Sequence, residues 1–123
     1  MEKFCNEAYF RFFNALANRM NLAIIDLLMD GSKCISDIAD FLGQEPATVS
    51  RNLEQLQGCA LIHSGTSQRG KLYTLNKEIV VPLGELLAFH AAKHCPGLRE
   101  CIPEAKLREY LKKEAAKETY IEH

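Results

Sequence analysis

The sequence predicts a mainly α-helical fold carrying one small β-hairpin. Three features point there. Residues 35–58 hold two short apolar-periodic segments separated by Gly43 and Pro46, which reads as helix, tight turn, helix. Residues 61–65 and 71–76 alternate in hydropathy around a polar linker from Gly65 to Gly70, a hairpin signal. On either side of this block, apolar residues recur at helical spacing over 2–17, 20–30 and 78–95.

Each element has its own justification. In the first helix Phe4, Ala8, Phe12, Ala15 and Leu16 form one stripe. Phe10 and Phe13 widen that stripe beyond what a small monomer buries. The second helix places Leu22, Ile24, Ile25, Leu27 and Leu28 in the core and stops at Gly31. Ser36 is a good N-cap for the third, with Asp37 in the first turn, and Gly43 supplies the left-handed residue that ends it. Pro46 starts the fourth, where no N–H is needed. Val49, Leu53 and Leu56 face inward there, and Thr48, Ser50, Arg51, Asn52 and Gln55 are left on the outer face, with Gln44 in the turn before. The fifth helix carries Ile79, Val80, Leu83, Leu86, Leu87 and Phe89, has Pro82 in its early turns, and is broken by Pro96 and Gly97. Pro103 opens a final charged helix reaching about residue 119, with Leu107, Tyr110 and Leu111 as its seam. The expected organisation is one domain over 1–95 and a cysteine-containing turn with a charged helix over 96–123.

Composition narrows the function. The chain of 123 residues is 47% hydrophobic, enough for a packed core. Its longest apolar stretch, Leu22 to Met29, is interrupted by Asp26 and is far too short to cross a bilayer. The N-terminus is not a secretory signal, so the cytoplasm is the expected compartment and no membrane partner is expected. Five cysteines, an odd number, read there as thiols or ligands rather than a disulfide framework. No nucleotide-binding loop, nucleophile elbow or HExxH motif is present, so an enzyme is not expected. Thr, Ser, Arg and Asn on one helix face suit phosphates and base edges in a major groove. Fifteen basic residues balance sixteen acidic ones, yet residues 62–77 contain Arg69, Lys71 and Lys77 and no carboxylate. Nucleic-acid affinity depends on that local charge. Double-stranded DNA is the expected partner, with modest, salt-sensitive binding.

The order and spacing of several segments resemble the arsenic-repressor (ArsR/SmtB) family of winged helix-turn-helix regulators. The residues that carry the resemblance are Phe13 to Met20, Ser36 to Gly43, Thr48 to Leu56, Cys59 to Ile62 and Arg69 to Leu75, within a span of about residues 10–95. The resemblance implies a winged helix-turn-helix homodimer held by its first and fifth helices. That agrees with the wide apolar stripes. It also implies repression relieved by an inducer. Two positions depart from the family pattern: Asn52 stands where the recognition helix usually has His, and Glu45 replaces a small polar N-cap and would repel a nearby phosphate.

The inducer site is open between several donor sets. His90 and His94 are four apart and share a helix face, the spacing of helical zinc ligands. With Cys95 and Cys101 they would form a soft trigonal or tetrahedral set for As(III), Cd or Zn. The alternative set is Cys34 with Cys5. Cys34 matches the first thiol of the family's Cys-x-Cys site, whose second position is Ser36 here. Cys59 matches a cysteine of the cadmium- and lead-sensing branch, but Gln55 occupies its companion position, which favours a packing role. Cys95 and Cys101, flanked by Lys93 and Arg99, could instead form a redox switch. His94-Cys95-Pro96 resembles a haem-thiolate site, and a site without any cofactor is the bland alternative. A winged-helix module that binds protein rather than DNA is the rival outside regulation.

Overall fold

The computed structural model describes residues 3–94, which fall into two compact units divided at Lys77 and Glu78. The first unit contains four helices and a three-stranded sheet. These are α1 (Glu7–Leu16), α2 (Arg19–Leu28), β1 (Lys33–Cys34), α3 (Ile35–Leu42), α4 (Pro46–Gly58), β2 (Ile62–Ser67) and β3 (Gly70–Leu75). The final cysteine-containing segment and the expected last helix lie outside the described residues.

Local chemistry explains the boundaries. Asn6 caps α1, its side chain accepting from the Tyr9 N–H at 2.9 Å, so the helix begins five residues later than the apolar stripe suggests. Asn18 caps α2 in the same way through the Asn21 N–H at 3.0 Å. The α3 N-cap is Cys34 rather than the expected Ser36, and no side-chain hydrogen bond completes it. Ser36 lies in the first turn, where its hydroxyl meets the Cys34 thiol at 3.2 Å. Gly43 adopts φ 63°, as its place at the turn requires, and the Gln44 N–H bonds back to the Ala39 carbonyl at 3.0 Å. Pro46 occupies the first turn of α4.

The sheet is antiparallel with order β1-β3-β2. The hairpin is tighter than the sequence suggested. Its strands run on to the pair Ser67–Gly70, leaving only Gln68 and Arg69 at the tip. The Ser67 hydroxyl accepts from the Arg69 N–H at 3.2 Å and donates to the Gly70 carbonyl at 3.0 Å, closing the turn. The third strand escaped the sequence reading because two residues show no periodicity. Lys33 and Cys34 pair with Tyr73 and Leu72.

Ile24, Leu28, Ile38, Val49, Leu53, Leu56, Leu61 and Ile62 are fully buried. The inward seam of α4 is therefore as expected, and α4 packs against α2, α3 and β2. Leu22 departs from expectation, lying on the exposed side of α2. Phe4, Phe10 and Phe13 are also exposed. From its second residue on, α5 (Lys77–Lys93) belongs to the second unit; it contains Pro82 and exposes Val81, Leu86 and Leu87.

Where α4 ends, Ala60 takes φ 57°. A Cβ in the left-handed region is strained, and glycine removes the strain at some cost in unfolded-state entropy. Ala60→Gly should stabilise the fold by about 0.5–1 kcal/mol and raise the melting temperature by a few degrees. Thermal unfolding followed by circular dichroism measures it, and an unchanged or lower midpoint would contradict a strained Ala60.

Candidate nucleic-acid interface and inducer donors

Two elements present the basic and polar side chains. α4 is amphipathic, and burying Val49, Leu53 and Leu56 turns Thr48 and Arg51 to solvent, with Ser50 half-buried beside them. Gln44 is exposed in the preceding turn. Arg69 stands at the tip of the hairpin, and Lys71 follows on β3 with its ammonium 5.5 Å from the Tyr73 ring centre. Among the described residues Arg51 and Arg69 form no ion pair, so both guanidinium groups are available to an anion. Unlike Thr48 and Arg51, Asn52 and Gln55 are not free on the outer face. They sit half-buried on its flank and bond to Asn21 of α2 at 2.8 Å each. The sequence reading passed over Asn21 and Asn18. The signal was present: two asparagines three apart at the start of a largely apolar helix.

The donor sets fare differently. His90 and His94 lie one turn apart near the end of α5, ring centres 6.2 Å apart and inclined by 34°. The His94 ring also meets the edge of Phe89 at 5.7 Å. Cys95 and Cys101 lie outside the described residues. Cys34 lines a cleft of about 460 Å³ between the start of α3 and the hairpin, together with Lys33, Asp37, Gln68 and Arg69. Cys5 is exposed and is not among the residues of that cleft. The Cys59 thiol donates to the Arg11 carbonyl at 3.6 Å, a packing role that ties the end of α4 to α1. Among the described residues no three His, Cys, Asp or Glu side chains converge as a metal would need.

A helix-turn-helix followed by an antiparallel hairpin is the winged form of that motif. The model of the family described as "Bacterial regulatory protein, arsR family" matches residues 21–64, from α2 into β2. A solution structure of the homodimeric winged helix-turn-helix DNA-binding domain of a possible ArsR-family transcriptional regulator from Mycobacterium bovis is 31% identical, with a TM-score of 0.62. The alignment covers 71% of this chain and 81% of that one. The chain belongs to the arsR family of bacterial regulatory proteins. A relative by sequence is an HTH-type transcriptional regulator of Mycobacterium tuberculosis, 32% identical over 80 residues, or 65% of this chain. The chain spans only about a third, 35%, of that relative's length. HlyU from Vibrio cholerae shares the fold at 23% identity and a TM-score of 0.58, covering 70% of this chain and 91% of its own. The arsR family is regulatory rather than catalytic, and no described helix is long and apolar enough to cross a membrane.

The geometry separates two kinds of basic side chain. Arg51→Ala should weaken duplex binding severely, because the residue projects from the middle of the α4 face. Arg69→Ala should weaken it uniformly across sequences and reduce the slope of log K against log salt by about one, as expected for one lost phosphate contact. Titrations at several salt concentrations measure both effects, and unchanged binding in both variants would favour a protein-binding module.

Proposed function

We propose that the chain is a homodimeric DNA-binding repressor whose operator affinity is changed by a thiophilic metal or metalloid ion. The observation that carries the DNA reading is the exposure of basic side chains on two elements, Arg51 on α4 and Arg69 with Lys71 on the hairpin. The hairpin itself is free of carboxylates. The recognition helix suits a major groove, and the wing suits the flanking backbone. The Mycobacterium bovis relative, a homodimeric DNA-binding domain, supports both the partner and the assembly.

Dimerisation is also supported by uncovered apolar surface. Phe4, Phe10 and Phe13 in one unit and Leu86 and Leu87 in the other are exposed, more apolar surface than a small monomer usually leaves in water. A symmetric dimer also matches a two-fold operator with half-sites one helical turn apart. Sedimentation equilibrium should show a dimer at micromolar concentration. A stable monomer there would rule out the two-fold operator model.

The inducer reading rests on donor chemistry. His90 and His94 share a helix face at the spacing of paired imidazole ligands, and Cys95 and Cys101 follow in sequence to supply soft thiolates. An ion bound more tightly by the DNA-incompetent dimer lowers operator affinity by the coupling free energy, typically ~1–3 kcal/mol. Cys95→Ser and Cys101→Ser should each abolish the response to As(III) or Cd in a DNA-release assay while leaving metal-free DNA binding intact. A serine hydroxyl stays protonated and binds soft ions poorly while nearly preserving shape. If oxidant rather than metal releases the wild type, and a chelator changes nothing, the pair is a redox switch. Loss of response in Cys34→Ser alone would move the site to the α3 cleft.

A further inference from the structure

Asn21 is the buried polar residue of the described core, with no exposed surface, and its carboxamide is fully engaged. Its Nδ2 donates to the Ala15 carbonyl at 2.9 Å and to Gln55 Oε1 at 2.8 Å. Its Oδ1 accepts from Asn52 Nδ2 at 2.8 Å. Asn52 Nδ2 also reaches Asn18 Oδ1, at 3.4 Å, and that oxygen accepts the Asn21 N–H at 3.0 Å. The network has a single direction. The Ala15 carbonyl can only accept, so Asn21 must turn its NH2 toward it. Asn21 then faces Asn52 with oxygen, Asn52 must present NH2, and Gln55 must present oxygen. No buried side-chain nitrogen or oxygen among the described residues lacks a partner.

Placement gives this network its consequence. Asn52 and Gln55 are three apart on α4, on the flank between the buried seam and the exposed Thr48 and Arg51. An apolar seam resists separation of two helices but tolerates a small roll, because dispersion and burial are non-directional. Two hydrogen bonds from one fixed carboxamide, placed along the helix axis, resist that roll. A roll of α4 would swing Thr48 and Arg51 away from base edges while leaving phosphate attraction nearly unchanged.

We infer that Asn21 is a positioning residue for sequence reading: it fixes the rotational seat of α4 through Asn52 and Gln55, and so sets where Thr48 and Arg51 point. This rests on the DNA-binding reading proposed above. It also assigns Asn52 and Gln55 to orienting the helix rather than to contacting bases themselves.

The test begins with a duplex selected by the wild-type chain from a random library, alongside a scrambled duplex of equal length. Asn21→Leu, nearly matched in size, removes all three carboxamide bonds. Asn52→Leu/Gln55→Leu removes the same links from the α4 side, without altering the core of α2, and stands in if Asn21→Leu does not fold. Each folded variant should bind the scrambled duplex within about twofold of wild type and with the same salt slope. The preference for the selected duplex should fall at least tenfold. Repeating the selection with a variant should return a different or degenerate sequence, which a merely less stable protein would not do. The triple variant should lose no more preference than either parent, since all three disable one device. Unchanged preference in the double variant would overturn the inference. So would additive losses in the triple variant. A wild-type chain that enriches no duplex at all would overturn the DNA reading first, and this inference with it.

Discussion

Burial of the α4 seam is the constraint on which the rest of the first unit depends. Val49, Leu53 and Leu56 are each at most 1% exposed, and through them α4 packs on α2, α3 and β2. Each such side chain contributes roughly 1.5–3 kcal/mol when removed from water. Three together rival the net stability of a small domain. Because the seam occupies one face of a helix, its burial dictates which residues remain outside. The exposure of Thr48 and Arg51 is thus a by-product of core packing.

Directional polar contacts then refine what the seam leaves loose. The amide cluster around Asn21 joins the end of α1, the start of α2 and the middle of α4. A second link, from the Cys59 thiol to the Arg11 carbonyl, ties the far end of α4 to α1. The charge of the molecule follows the same logic of placement over total. A near-neutral chain can still address a polyanion when its hairpin is free of carboxylates.

Much of this was legible in the sequence, for identifiable reasons. Gly43 and Pro46 each answer a backbone requirement that few residues meet, so the turn between α3 and α4 was visible at once. The inward seam followed from helical spacing. What escaped was of two kinds. β1 is two residues long, too short for any period to show. The Asn18, Asn21, Asn52 and Gln55 cluster joins residues more than thirty positions apart, and nothing local announces such a partner. That is why Asn52 and Gln55 read as free polar residues on an outer face. The α3 cap was misassigned because Ser36 has the better capping chemistry, while the chain enters the helix two residues earlier, straight out of β1. The proposed inducer donors were legible only as a spacing, because ligation depends on side chains that the sequence alone does not bring together.

The pairing of Lys33 with Tyr73 and of Cys34 with Leu72 reaches beyond the sheet itself. It closes a long ring of chain that contains all of α3, all of α4 and the hairpin strand β2. The middle strand of the sheet is the last in sequence, so β1 has nothing to pair with until Leu72 and Tyr73 are available. Closing so long a ring costs chain entropy, and the cost falls when the intervening helices are already compact. The order of assembly is thereby constrained in one respect: β1 can lock on only after β3 is in place. In an emerging chain β1 would have no partner until the hairpin arrives.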